Sequence, residues 1–66
     1  LALHQALERF ATLDPRAARV VELSYFGGMT QEEIACAQSV SLATVERDLR
    51  IARAWLRRAL ADAPAG

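Results

Sequence analysis

Apolar residues recur along the chain at intervals of three and four, and residues that cap or break helices divide them into four stretches. Leu3, Ala6, Leu7 and Phe10 make the first dozen residues an amphipathic helix, with His4, Gln5, Glu8 and Arg9 outward. Leu13-Asp14-Pro15 is a stop followed by a start. Asp14 is a good N-cap, and Pro15 suits the first helical position because that N–H has no partner anyway. A second helix then runs to about Phe26, with Ala17, Val20, Val21 and Ser24 along one face, widened by Leu23 and Phe26. Gly27-Gly28 ends it, a glycine supplying the left-handed cap, and Met29 is expected to plug the core.

Thr30-Gln31-Glu32-Glu33 opens the third helix as a capping box, Thr and Glu each satisfying an orphan backbone N–H. Ile34 and Ala35 follow, and the helix is expected to stop near Gln38-Ser39-Val40. Ser41 then caps a fourth helix by accepting from the N–H groups around Ala43 and Thr44. Two capped helices this close predict a helix-turn-helix, with an ordinary αα-hairpin as the alternative on pattern alone. Such a turn usually carries an apolar residue and then a glycine that tolerates positive φ. Serine there would cost about 1 kcal/mol.

On the fourth helix Val45, Leu49, Ala52, Leu56 and Leu60 fall on one stripe, which must face a core. Ala43, Glu46, Arg47, Arg50, Ala54 and Arg57 lie opposite. A merely solvated face mixes acids and bases; this one has three arginines, one glutamate and alanines small enough for close approach. A guanidinium can fork onto a phosphate or onto the O6/N7 edge of guanine. The pattern favours a helix that reads a DNA groove. Ile51 and Trp55 form a second apolar stripe about 80–120° round. It either packs on the first helix or offers a partner surface for another protein or a second copy.

Sixty-six residues allow one small domain. A chain of this size buries about 60% of its unfolded surface and has a stability of roughly 5 kcal/mol. The expected architecture is all-α, a four-helix domain containing the helix-turn-helix and no winged elements, over 1–61, with a flexible tail at 62–66. A start at Leu1 without methionine suggests a piece of a longer protein. Formal net charge is zero, low for a free-standing DNA binder, but it divides unevenly. Residues up to Val40 are net acidic, and those from Ser41 on are net basic. Every cation is arginine, for which codon preference in a GC-rich genome is a second explanation. The lone Cys36 allows no internal disulfide and is expected to act as a small apolar residue in a reducing cytoplasm. No stretch suits a bilayer or a signal peptide, so no membrane role is expected.

Catalysis finds no support. Ser24, His4 and Asp14 would be needed for a triad, yet Ser24 lies mid-helix with no turn to expose it. Glu32 and Glu33 sit where a helix dipole favours acids. One histidine and one cysteine cannot assemble a nitrogen–sulfur metal site, and the glycine pair is not a phosphate loop; no cofactor is expected. Arg16 and Arg19, near a helix start, are unhelpful to its dipole. Such a cation is either solvated or a phosphate contact.

Leu13-Asp14-Pro15-Arg16, Val20-Val21-Glu22-Leu23, Tyr25-Phe26-Gly27-Gly28-Met29-Thr30, Glu32-Glu33-Ile34-Ala35, Ala43-Thr44-Val45-Glu46-Arg47-Asp48 and Ala52-Arg53-Ala54-Trp55-Leu56 together resemble a known pattern. It is the C-terminal region four of extracytoplasmic-function sigma factors, bacterial promoter-specificity subunits of RNA polymerase. The resemblance implies reading of the −35 promoter element in the major groove by the fourth helix. It implies docking on the β flap of the polymerase core and sequestration by an anti-sigma factor. By position, Ala43, Thr44, Glu46, Arg47 and Arg50 would approach bases or nearby phosphates. Arg16, Thr30, Gln31, Ser41 and Arg57 would meet the DNA backbone. Ile51 and Trp55 would serve the flap, an anti-sigma factor or self-association.

The chain departs from that pattern at Gln38-Ser39, where Leu-Gly is usual, and at Glu46, where a base is common. An acid beside DNA must accept a hydrogen bond, for example from cytosine N4. These departures and the low charge fit a domain that holds promoter DNA only when polymerase supplies most of the affinity. Two other readings stand beside it. One is the effector domain of a response regulator, which lacks the Arg-Ala-Trp-Leu element; the other is a helix-turn-helix that binds protein and no longer reads DNA.

Overall fold

Four α-helices carry the fold in the computed structural model, which describes residues 2–61. They are α1 (Ala2–Leu13), α2 (Pro15–Val21), α3 (Gln31–Gln38) and α4 (Leu42–Ala61). No strand occurs among the described residues, so the domain is all-α and wingless. The tail expected at 62–66 lies outside them.

Local chemistry sets each boundary. The Asp14 side chain accepts from the Ala17 N–H at 3.1 Å, and Pro15 takes the first position of α2. At α3 the capping box is complete. Thr30 Oγ1 accepts from the Glu33 N–H at 3.1 Å, and Glu33 Oε1 accepts from the Thr30 N–H at 2.8 Å. At α4 the Ser41 hydroxyl accepts from the Thr44 N–H at 3.1 Å.

The second helix does not stay α-helical to Phe26. From Glu22 to Phe26 it widens into a π-helical turn, closed by the Gly27 N–H donating to the Glu22 carbonyl at 2.9 Å. A π turn takes up an extra residue and shifts those after it off the α-helical stripe. Phe26, placed on the buried face by simple periodicity, is 67% exposed. Gly27 then passes so close to Leu23 that a Cβ there would lie 2.8 Å from the Leu23 carbonyl oxygen. The left-handed cap falls on Gly28, at φ +65°.

Ser39 occupies the turn between α3 and α4 at φ 57°, ψ 44°. The Val40 N–H donates to the Ala35 carbonyl at 3.0 Å and the Ser39 N–H to that of Cys36 at 3.2 Å. This paired arrangement closes a helix around a left-handed residue, a position that favours glycine. Replacing Ser39 with glycine is expected to stabilise the domain by about 1 kcal/mol. That would raise Tm by about 4–8 °C. An unchanged Tm would mean that the serine hydroxyl offsets the strain.

The core is one cluster in which Val20, Val21, Ile34, Val45, Leu49 and Ala52 are almost wholly buried, joined by Phe10 and Leu56. Both α1 and α2 pack on α4, and α3 packs on it as well. The long helix is therefore the axis of the molecule. Ala17, Ala18 and Ala52, all buried, keep these contacts close. Periodicity also placed Leu60 and Leu3 on buried faces, but they are 39% and 45% exposed. At twenty residues α4 outruns the shorter elements packed on it, and its buried run ends at Leu56.

Candidate nucleic-acid interface

With Val45, Leu49, Ala52 and Leu56 turned into the core, helix geometry puts Ala43, Glu46, Arg47, Arg50, Ala54 and Arg57 in solvent, and all six are exposed. None of the five arginines of α4 takes part in an ion pair among the described residues. The two arginines of α2 differ: Arg19 pairs with Glu22 at 3.4 Å, and Arg16 with Asp48. The cations of the long helix are thus left available to an outside anion.

The helix-turn-helix brings Gln31 of α3 beside Glu46, Arg50 and Arg57 of α4. Thr30 caps α3, its N–H already donated to Glu33, and Gln31 opens the first turn, where the helix dipole favours anions. The hydroxyls of Ser41 and Thr44 lie 2.9 Å apart at the start of α4. Ser41 accepts there, and Thr44, half-buried, is held beside it.

Arg16 stands elsewhere. Its Nε and Nη2 donate to Asp48 Oδ2 and Oδ1, both at 3.1 Å, a two-pronged grip from the start of α2 onto α4. Asp48 is 2% exposed and is the one buried charged residue among those described. Its hydrogen bonds, and then its charge, hold the Arg16 pKa above the ordinary value, against a lowering from burial. A guanidinium committed to a buried carboxylate is a fastener between helices, which explains why a cation is tolerated where the helix dipole disfavours it. Arg16→Ala strips Asp48 of its counter-charge while leaving it buried. It is expected to lower Tm more than Arg19→Ala, which removes only an exposed pair. Equal melting temperatures would mean that Asp48 finds water instead.

Asp48 itself was not singled out in the sequence. It sits about 80° from the centre of the apolar stripe, on the flank shared with Ala52 and Ala59, which was the available signal. Trp55 turns towards α1, with its ring centroid 5.2 Å from that of Phe10 and the Arg9 guanidinium 5.9 Å away. Half of the supposed partner stripe is thereby covered from within. Ile51 remains 49% exposed. Cys36, expected to behave as a small apolar residue, is exposed on α3.

Among the described residues no group of acidic, histidine and cysteine side chains is placed to hold a metal, and no helix is long and apolar enough to cross a membrane. Fold and surface together define a helix-turn-helix domain with a free arginine face. The chain belongs to the ECF sigma factor family, whose family model, described as ECF sigma factor, matches residues 1–62. Comparison with curated proteins and with solved structures returned no match. Membership makes this a sigma-factor sequence acting in transcription initiation, with RNA polymerase and promoter DNA as partners, in a family of non-enzymatic factors. It also decides against the response-regulator alternative.

Proposed function

We propose that residues 1–61 form the region-four-like reading domain of this sigma factor, and that α4 enters the major groove of the −35 promoter element. The observation that carries this reading is the free arginine face. Arg47, Arg50 and Arg57 are exposed and without ion pairs among the described residues, on a helix whose opposite face is locked in the core. Arg47 and Arg50, with Ala43, Thr44 and Glu46, approach bases or flanking phosphates; Thr30, Gln31, Ser41 and Arg57 meet the backbone. Arg16 contributes by fastening α2 to α4. The small alanines 43 and 54 let the helix approach closely, and Glu46 accepts from a cytosine amino group.

With a net charge of zero, the domain relies on the polymerase core for much of its hold on DNA. Docking on the β flap supplies that, and the exposed Ile51 is available to the flap or to an anti-sigma factor. Selection of duplexes from a random pool by holoenzyme carrying the full-length protein is expected to enrich one upstream motif. Its binding should weaken steeply with salt, log K falling by about 0.9 per log unit for each phosphate contact. A pool without enrichment, or binding flat in salt, would favour a helix-turn-helix that engages protein alone.

A further inference from the structure

Beside the outward face of α4 runs a shallow groove between that helix and the first turn of α3. Gln31 borders it on one side and Arg50, Arg53 and Arg57 on the other, with Glu46 the one acid in its wall. Arg53 lies about 60° round the helix from Arg50, so it points beside the groove-reading face, not out from it. It is also held. Its Nε donates to the Tyr25 hydroxyl at 2.6 Å, and its guanidinium carbon lies 5.8 Å from the centre of that ring.

Tyr25 owes this position to the π-helical turn, which leaves it 51% exposed. An exposed arginine ordinarily samples many rotamers, and ordering it opposes binding. Anchoring Arg53 at Nε removes much of that freedom before any ligand arrives. The anchor uses only one of its five N–H donors. The two terminal nitrogens stay free, and they are the donors that fork onto a phosphate.

We propose that Arg53, anchored at Nε by the Tyr25 hydroxyl, joins Arg50 and Arg57 beside Gln31 to take one backbone phosphate of duplex DNA. This rests on α4 reading a duplex, because the strand flanking the major groove then runs past this side of the helix. Three cations against one acid select an anion. The open shape of the groove suits a group on a continuous backbone better than an enclosed small molecule.

The test is equilibrium binding of holoenzyme, assembled with the full-length protein, to its selected promoter over a salt series. Arg53→Ala is expected to weaken binding by a similar factor for every promoter variant and to reduce the slope of log K against log salt by about one. Tyr25→Phe keeps the ring and removes the acceptor. It should weaken binding less, and not at all in an Arg53→Ala background, a coupling that general loss of structure would not produce. Arg53→Lys retains the charge but not the fork. It should hold the salt slope near that of the parent while abolishing the effect of Tyr25→Phe. An unchanged slope and affinity in Arg53→Ala, with Arg50→Ala impaired, overturns this subsite and leaves the reading of α4 standing. Unchanged binding in both variants overturns the two together.

Discussion

Leu49→Ala is expected to abolish a cooperative melting transition near physiological temperature. Leu49 is 1% exposed at the centre of α4, within the cluster that also contains Val20, Val21, Ile34 and Val45. Truncating such a leucine costs about 2–5 kcal/mol, the lost transfer free energy plus a cavity that collapses only partly. A domain of this size has only about 5 kcal/mol of stability. Helices α1, α2 and α3 all pack on α4, so a void in its middle loosens them together. Arg47→Ala, on the opposite face, is the control and should shift stability by less than about 0.5 kcal/mol. A Leu49→Ala protein that melts with the parent would show that the helix does not pack as described.

The second large effect is on function and leaves the fold alone. Arg50→Ala is expected to weaken specific promoter binding by about 1–3 kcal/mol, or about 5- to 150-fold. The side chain is exposed and has no ion-pair partner among the described residues, so Tm should stay within a degree or two of the parent. If Arg50 reads a base, the loss falls on promoters carrying that base; if it holds a phosphate, the loss is uniform. Transcription by reconstituted holoenzyme from the selected promoter distinguishes these outcomes. Undiminished transcription would remove Arg50 from the DNA contacts.

Much of this was legible in the sequence because it is local. Asp14-Pro15, the Thr30–Glu33 capping box and Ser41 each act over three or four residues, and each makes the hydrogen bonds that its spacing implies. The left-handed turn residue at Ser39 was readable for the same reason, as a position where glycine is usual and the chain lacks it. What escaped was non-local or irregular. Val45 and Leu49 announce a buried stripe, but nothing in helical periodicity announces that the neighbouring Asp48 is buried too. Its partner Arg16 lies thirty-two residues earlier, on another helix.

The π turn defeats simple periodicity in the same way. A constant 100° step carries no trace of a widened turn, so Phe26 was placed on the wrong side and Tyr25 entered only as a letter of the family pattern, with no role of its own. The pairing of Arg53 with Tyr25 is a consequence of that irregularity. On Ile51 and Trp55 the sequence stated the alternatives, and packing chose between them for one residue only. Phe10 of α1 stands where Trp55 can reach it, and Ile51 faces away.

Sequence alone determined four helices, the caps that start α2, α3 and α4, and which face of the last one is aliphatic, since these follow from caps and spacing within single turns. Tertiary structure decided which arginines are free. Arg16 and Arg53 look alike as letters, yet one grips a buried carboxylate and the other a tyrosine hydroxyl that leaves its terminal nitrogens open. The choice depends on which groups from distant segments arrive within hydrogen-bond reach once the helices pack, and no local rule contains that distance.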